Sequence, residues 1–395
     1  MHVLPYWRLA GYYFFYFAFL GAFSPFFSLY LQSLAFSPVD IGLLLSQMQL
    51  MRLLGPYVWG ALADRCGLRV PIVRWAALAS LLGFLSFFWW QRLPSMLIAM
   101  AVLAFFWSAA LPLVEGLTFD HLREERARYS QIRLWGSIGF VVAVLGTGAL
   151  LDWVAPIGVL WVCSGILFGI LACALLLPEA GRQSPPATAQ ALGLILRQPR
   201  IQALLAACFM MSVAHGPFYV FFSIHLAEHA YGRMEIGLLW SLGVLAEILV
   251  FMRMKWLLAR YSLRSLLAIS FAAAVLRFFL MGWGVDYAWL MLVVQVLHGL
   301  TFGAYHAAAI TAINQWFPPA TQGRGHAIYS SISFGAGGLF GALLSGQVWT
   351  AWGAGWTYSA AAAFAVLGWV LIIRGLPDDV TVNPAKRQKL PDPVQ

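Results

Sequence analysis

Long apolar runs separated by short polar segments repeat along the whole chain. Each run has about 20 residues or more, which is enough to cross roughly 30 Å of hydrocarbon as an α-helix. Turn residues and charges between the runs mark the predicted helix ends. Twelve spans are predicted, over residues 7–34, 39–62, 71–91, 95–121, 128–152, 156–177, 201–229, 234–258, 264–284, 287–314, 323–351 and 354–374.

The twelve predicted spans fall into two groups of six. Similar strings at equivalent places, such as Tyr129-Ser130-Gln131-Ile132 and Tyr329-Ser330-Ser331-Ile332, indicate parallel repeats related by an axis along the membrane normal. We therefore predict an all-α integral membrane fold with two pseudo-symmetric six-helix halves. The predicted segments are an N-terminal half at 1–177, a cytoplasmic linker at 178–200, a C-terminal half at 201–375 and a cytoplasmic tail at 376–395.

Composition and charge agree with a membrane-embedded chain. Hydrophobic residues make up 62% and charged residues only 10%, against about 25% charged residues in soluble domains. The net charge of +9 comes from basic residues scattered among short loops, so no nucleic-acid-binding face is expected. Of the basic residues in loops or near span ends, 19 fall on one side of the membrane and only Arg92 and Arg233 on the other, which predicts cytoplasmic termini. We expect the protein in a bacterial inner membrane.

The cysteines do not form a recognisable site. Cys66, Cys163, Cys173 and Cys208 have neither metal-ligand spacing nor the arrangement of a disulfide framework. No cofactor or metal is therefore expected. A membrane enzyme or receptor is disfavoured, because no nucleophile or metal-ligand constellation is present.

A glycine- and arginine-containing segment joins the second and third predicted spans. It reads Gly60-Ala61-Leu62-Ala63-Asp64-Arg65-Cys66-Gly67-Leu68-Arg69 and resembles the signature loop of the major facilitator superfamily. Gly60 is expected to allow close backbone approach and Gly67 a tight turn, while Arg65 and Arg69 anchor the loop at the cytoplasmic face. Asp64 is expected to meet the positive end of helix 11. The alternative is that Asp64 pairs with the arginines of its own loop.

Ionisable side chains inside the spans are the main candidate site residues, since each costs at least about 2.5 kcal/mol at the bilayer centre. Glu115 and Arg133 flank the same cytoplasmic loop at similar depth, so an ion pair between them is geometrically available. Arg52 also lies inside a span, although its long side chain could reach the cytoplasm.

Four further ionisable residues approach the midplane of the second half. Helices 7 to 10 each supply one, and their shared depth favours a functional cluster over four separate packing contacts. The four residues are His215, Glu247, Arg277 and His298. Trp240 precedes Glu247 by seven residues and so lies on the same helix face, either as an aromatic contact or as a packing residue.

These residues resemble the phenylpropionate permease branch of the major facilitators, related to the lactose and oligosaccharide proton symporters. The resemblance implies a substrate-side pair of Glu115 and Arg133, and a coupling group of Glu247, Arg277 and His298. The strings that carry it are Leu43-Leu44-Leu45 with Arg52, Pro112-Leu113-Val114-Glu115, Arg133-Leu134-Trp135-Gly136-Ser137, His215, Trp240-Ser241-Leu242-Gly243-Val244-Leu245-Ala246-Glu247, Arg277 and Gln295-Val296-Leu297-His298.

One departure from the resemblance changes the predicted mechanism. Lactose-type symporters carry a carboxylate one turn after the helix 10 histidine, where this chain has Thr301. Glu247 therefore becomes the leading proton carrier, and its protonation is expected to bias the rocking of one half against the other.

The balance of buried charges also bears on the substrate. Three arginines and two glutamates within the spans suit an anion better than a sugar. We expect a monomeric proton symporter for a small aromatic monocarboxylate such as 3-phenylpropionate or cinnamate, with Arg52, Glu115, Arg133, His215 and Trp240 as substrate contacts. The alternatives are a proton-coupled nucleoside or sugar symporter and a drug/proton antiporter.

Asp64 provides the first test. If its contact with helix 11 closes the cytoplasmic side, Asp64→Ala should favour the inward-open state, slowing transport while leaving binding largely intact. Uptake and equilibrium binding would be measured in proteoliposomes at equal expression. Unchanged transport in this variant would refute the gating role.

Overall fold

The computed structural model describes residues 4–123, 125, 128–180, 192–318 and 321–377. Within these ranges long α-helices follow one another with short connections, apart from a brief 3₁₀ turn at Ser86–Phe88 and a short helix at Leu192–Leu196. Residues 181–191 of the predicted linker and 378–395 of the predicted tail lie outside the described residues.

Eleven long helical segments are present among the described residues. The first six are α1 (Tyr6–Ser33), α2 (Pro38–Cys66), α3 (Val70–Leu85), α4 (Leu93–Leu122), α5 (Tyr129–Leu151) and α6 (Gly158–Leu176). The other five are α7 (Pro199–Glu228), α8 (Arg233–Arg260), α9 (Leu263–Trp283), α10 (Ala288–Trp316) and α11 (Gln322–Gly375).

The helix ends agree with the predicted spans to within a few residues. By length and composition, ten described helices could cross a membrane, rather than the predicted twelve. The two differences lie in α2, which is long but absent from the ten, and in α11, which combines two predicted spans. Gly353 interrupts α11 with φ +81° and ψ −176°, a non-helical conformation at the predicted boundary. The count of twelve spans remains a prediction.

The sequence around α2 explains both of its ends. Ser37 and Asp40 form a capping box: the Ser37 hydroxyl accepts a hydrogen bond from the Asp40 N–H, and the Asp40 carboxylate accepts one from the Ser37 N–H. At the other end Gly67 adopts a left-handed conformation with φ +69°, which a residue without Cβ tolerates well. The predicted close backbone approach at Gly60 is wrong, because a Cβ there would meet no described atom within 4 Å.

Contacts divide the chain into two units. Unit 1 comprises Met1–Ala187, Gly216–Ser241 and Phe334–Gly353, and unit 2 comprises Thr188–His215, Leu242–Ser333 and Ala354–Gln395. Helices α7, α8 and α11 therefore contribute residues to both units. The division into two halves by sequence order remains a prediction.

Helix α1 is the buried centre of unit 1 and packs most extensively on α5. Two glycines allow this close crossing. A Cβ at Gly139 would overlap the carbonyl oxygen of Phe14, and a Cβ at Gly21 would overlap that of Phe140. Small residues at helix interfaces are the usual means of close packing in membranes, where lipid supplies no hydrophobic drive between helices.

Carboxylates accept hydrogen bonds from the N-terminal N–H groups of two helices within unit 1. Glu179, after α6, accepts hydrogen bonds from the Arg69 and Val70 N–H groups at 3.1 and 2.9 Å, where α3 begins. Asp152, after α5, accepts hydrogen bonds from the N–H groups of Arg233 and Met234 at 2.7 and 3.2 Å, where α8 begins. Both contacts place a negative charge on the positive end of a helix dipole.

In unit 2, α9 packs along the whole length of α10.

Two helices leave regular α-geometry. Helix α10 contains a π-helical segment at Gly299–Ala304, and α11 contains one at Ser331–Gly337. Segments of this kind often occur at functional sites because they shift which residues share a helix face.

Two glycines of α5 allow a matched test of the α1–α5 crossing. Gly139 abuts the Phe14 backbone, whereas a Cβ at Gly146 would meet no described atom within 4 Å. Gly139→Ala should cost about 1–3 kcal/mol through overpacking, while Gly146→Ala should be neutral or slightly stabilising because alanine favours helix. Thermal unfolding in detergent would compare the two, and equal melting temperatures would contradict the close crossing.

Candidate functional site

Unit 1 holds a charged cluster around a buried tyrosine. Tyr16 of α1 is only 4% exposed. It lies close enough to Arg52 of α2, Glu115 of α4 and Arg133 of α5 to interact electrostatically with all three. Glu115 and Arg133 are half-buried and Arg52 is exposed. Three helices therefore bring three of the predicted substrate contacts close to one tyrosine on a fourth helix.

The direct pair of Glu115 and Arg133 that the sequence made available is not formed among the described residues. Glu115 instead accepts a hydrogen bond from the Tyr129 hydroxyl at 3.0 Å. The Arg133 guanidinium lies over the ring of Phe17, 3.7 Å from its centroid. Each charge thus has a local partner, yet Arg133 remains close enough to act electrostatically on Glu115. An arginine held on an aromatic face keeps several N–H donors for an incoming anion.

Aromatic surfaces border these groups within unit 1. Tyr16 stacks on Trp107 of α4, with ring centroids 4.2 Å apart and planes 9° from parallel. Trp240 of α8 is buried: its indole N–H donates to the Ser223 hydroxyl at 3.0 Å, and its ring stacks on Phe218 at 4.6 Å. The structure therefore places Trp240 in an aromatic cluster with α7. Its predicted contact with substrate remains a prediction.

Unit 2 brings together the four predicted midplane residues. His298 Nε2 and Glu247 Oε1 are 2.8 Å apart, with only 6% and 16% of the two side chains exposed. At this distance a single proton can be held by either partner, as an imidazolium facing a carboxylate or an imidazole facing a carboxylic acid.

Arg277 is the most deeply buried charge of this cluster, with none of its surface exposed. Its Nε donates to the Val294 carbonyl of α10 at 3.0 Å. Its Nη1 lies 3.4 Å from both His215 Nε2 and Thr301 Oγ1. Arg277 is also close enough to Glu247 to interact with it electrostatically. Thr301, which stands where lactose-type symporters carry a carboxylate, therefore contacts Arg277 through a neutral hydroxyl.

The hydrogen bonds of His215 define its state. Its Nδ1 lies 2.8 Å from the Met211 carbonyl, which can only accept, so Nδ1 carries a hydrogen. Nε2 faces the guanidinium of Arg277, which can only donate, so a neutral His215 satisfies both contacts. In this structure His215 therefore positions Arg277. Its predicted substrate contact remains a prediction.

Some residues at these sites were not singled out by sequence reasoning. Gln295 is fully buried one turn before His298, and within the described part of the chain neither its amide oxygen nor its nitrogen has a hydrogen-bond partner. A Cβ at Gly243 would lie 3.0 Å from the Gln295 oxygen, so this glycine makes room for the amide. The sequence signal that could have identified Gln295 is a polar amide inside an apolar span.

Two further missed residues belong to unit 1. Tyr129 was noted only as part of a repeated string, yet its hydroxyl is the partner of Glu115. Asp120, near the end of α4, forms an ion pair with Arg69 of the signature loop. In the same loop Asp64 and Arg65 are exposed. The roles predicted for Gly60, Asp64, Arg65, Gly67 and Arg69 in gating remain predictions.

The ten long apolar helices among the described residues indicate a multi-pass membrane protein with ionisable groups inside its helices. The family model described as MFS_1 like family matches residues 6–360. The protein therefore belongs to this family, a branch of the major facilitator transporters.

Curated relatives are transporters of several substrates. The chain is 30% identical to a "Probable 3-phenylpropionic acid transporter" of Escherichia coli, over 83% of this chain and 87% of the relative. It is 27% identical to a "Maltose permease" of Geobacillus stearothermophilus, over 92% of each chain. It is 21% identical to the "Nucleoside permease NupG" of Escherichia coli, over 80% of this chain and 81% of the relative.

Solved structures share the fold at low sequence identity. A crystal structure of the nucleoside transporter NupG superposes with a TM-score of 0.83 and 16% identity, covering 93% of this chain and 98% of the other. A bacterial homologue of the human lysosomal transporter Spinster gives a TM-score of 0.66, also at 16% identity, over 94% and 95% of the two chains. These similarities establish the fold alone.

Proposed function

We propose that this protein is a proton-coupled symporter of a small aromatic monocarboxylate, such as 3-phenylpropionate or cinnamate, working by alternating access as a monomer in a bacterial inner membrane. The observation that carries the proposal is the buried group of Glu247, His298 and Arg277, in which one proton changes the net charge. The name of the 30% identical relative supports the substrate class.

The cluster in unit 1 is chemically suited to such a substrate. Arg133 presents a guanidinium, which can bind a carboxylate through two parallel hydrogen bonds. Tyr16 and Trp107 form a stacked pair beside the charges, and aromatic faces of this kind receive a phenyl ring. Arg52 adds a second positive charge near Tyr16. The arrangement therefore offers positive charge and aromatic surface together.

Charge balance in unit 2 supports coupling of a proton to an anion. Arg277 keeps its charge at any physiological pH. While Glu247 is ionised it balances Arg277, but a protonated Glu247 leaves one uncompensated buried positive charge, which is costly. A substrate anion that binds together with the proton would offset the added positive charge. Proton and monocarboxylate would then load together.

A nucleoside or an oligosaccharide is the second candidate substrate. Relatives with those names align with most of the chain, and the NupG structure shares its fold. Neutral substrates of this type are held by hydrogen bonds and ring stacking, for which Glu115, Tyr129 and Trp107 are available. They would not need the positive charge of Arg133.

The two candidates separate in a substrate panel. Labelled 3-phenylpropionate, cinnamate, uridine and maltose would be offered to proteoliposomes with and without an inward proton gradient. We expect accumulation of the aromatic acids alone. Arg133→Lys should weaken their affinity by about tenfold, because an ammonium cannot reproduce the planar fork of the guanidinium. Arg128→Lys, at an exposed pair with Glu125, is the matched control and should change nothing. Accumulation of uridine or maltose instead would refute the proposed substrate.

Glu247→Gln tests the coupling. The amide keeps the shape and hydrogen bonding of a protonated acid, so a loaded carrier should still exchange substrate across the membrane. Uphill accumulation should fail, since no proton can be released to reset the empty carrier. Exchange and proton-driven uptake would be measured on the same liposomes.

Glu235→Gln serves as the control for this variant. Glu235 lies in the first turn of the same helix, where it accepts a hydrogen bond from the Gly232 N–H. Its substitution should leave accumulation intact. If Glu247→Gln accumulates substrate normally, Glu247 is not the coupling residue and Glu115 becomes the next candidate.

A further inference from the structure

The π-helical segment of α10 brings two histidines and the phenylalanine between them closer to one line along the helix. In an α-helix, positions four and eight apart are offset by about 40° and 80° around the axis. The wider π-turn at Gly299–Ala304 absorbs most of that offset. As a result His298, Phe302 and His306 lie on one stripe of α10.

The three rings on this stripe stack in sequence. His298 and Phe302 have centroids 5.6 Å apart and planes 24° from parallel, and Phe302 and His306 have centroids 5.8 Å apart and planes 11° from parallel. Phe302 thus separates two imidazoles, one of which contacts Glu247. Because a phenyl ring has no hydrogen-bonding atom, it interrupts any direct proton path between them.

Beyond Phe302, His306 joins a set of buried hydroxyls. Its Nδ1 is 2.9 Å from the Tyr329 hydroxyl of α11, and Tyr329 is only 1% exposed. The neighbouring Tyr305 hydroxyl lies 3.4 Å from Ser333, which in turn contacts Ser212 of α7 at 2.9 Å. The coupling function described above uses none of these groups. They provide donors and acceptors in the interior of unit 2.

A third imidazole continues this line towards the predicted cytoplasmic end of α10. His326, near the start of α11, is close enough to His306 for an electrostatic interaction. Its Nε2 lies 2.8 Å from the Asn314 side chain. His306 and His326 are both half-buried, and the hydrogen bond between His326 and Asn314 is exposed. Groups able to carry a proton therefore lead from the coupling pair to a hydrogen bond at the exposed surface.

We propose that His306, with Tyr329, is a proton-relay residue that takes the coupling proton from His298 and passes it towards His326, and that Phe302 closes this path between transfers. The inference rests on the proposed proton coupling at Glu247. It assigns a role to a histidine that the coupling pair itself does not touch.

The step moves one proton and changes no other bond. The Glu247 carboxyl transfers its proton to His298 Nε2, and His298 releases its Nδ1 proton to a water molecule beside a displaced Phe302 ring. That water protonates His306 at Nε2, and His306 returns to the neutral state by passing its Nδ1 proton to the Tyr329 hydroxyl, which releases its own proton to water on the side of His326. Both imidazoles end as neutral rings, and Glu247 is left ionised.

A proton-leak assay tests the closing role of Phe302 without any substrate. Phe302→Ala should raise the passive proton flux of proteoliposomes carrying a pH-sensitive dye by at least about threefold, since an apolar constriction that excludes water has been removed. Adding His306→Gln to Phe302→Ala should return the flux to the wild-type level. Phe279→Ala, at an exposed ring of α9, is the control. No leak in Phe302→Ala, or a leak unaffected by His306→Gln, would overturn the proposal.

A transport assay separates relay from structural support. With labelled 3-phenylpropionate, His306→Gln should leave exchange within about twofold of wild type but slow proton-driven net uptake by about a hundredfold. A purely structural role would lower both rates together and would overturn the proposal. His229→Gln, at the end of α7, is the control.

Glu247→Gln, measured in parallel, distinguishes the two levels of inference. If it accumulates substrate, the proposed coupling fails. If it does not accumulate substrate while His306→Gln does so at the wild-type rate, only the relay is refuted.

Discussion

Arg277 is a full positive charge with no exposed surface, and the arrangement of unit 2 follows from the need to accommodate it. Such a charge is tolerated only when hydrogen bonds and an opposite charge surround it. The Val294 carbonyl, His215 and Thr301 accept its hydrogen bonds, and Glu247 supplies the opposite charge. Because three of these partners are neutral, the charge state of the cluster depends on whether the Glu247–His298 pair holds a proton.

The charged cluster of unit 1 differs in burial and therefore in what it can do. Glu115 and Arg133 are half-buried and Arg52 is exposed, so these groups are less desolvated than Arg277 and can exchange partners more easily. Arg133 rests on Phe17 instead of on a carboxylate, which leaves its donors available. A binding site benefits from charges that can change partner. A coupling site benefits from charges that cannot, so the two clusters suit different steps of transport.

The long helices could be predicted from sequence because an unsatisfied backbone in lipid is costly, and hydropathy indicates helix length directly. The proximity of Glu247, Arg277 and His298 was expected from counting residues along those helices. Partner choice could not be read this way. Glu115 contacts Tyr129 rather than Arg133, and Gly60 faces open space, because rotation about each helix axis is set by packing that a single sequence does not reveal.

The π-helical turn of α10 was also beyond sequence reasoning, since nothing in Gly299-Leu300-Thr301-Phe302-Gly303-Ala304 separates it from an ordinary helix. Its effect is nevertheless specific. It reduces the offset of about 80° that a regular helix would leave between His298 and His306, and Phe302 stacks on both. The same segment turns Thr301 towards Arg277. This local change in helix geometry therefore has two effects. It completes the hydrogen bonds of the buried arginine, and it aligns the histidines along α10.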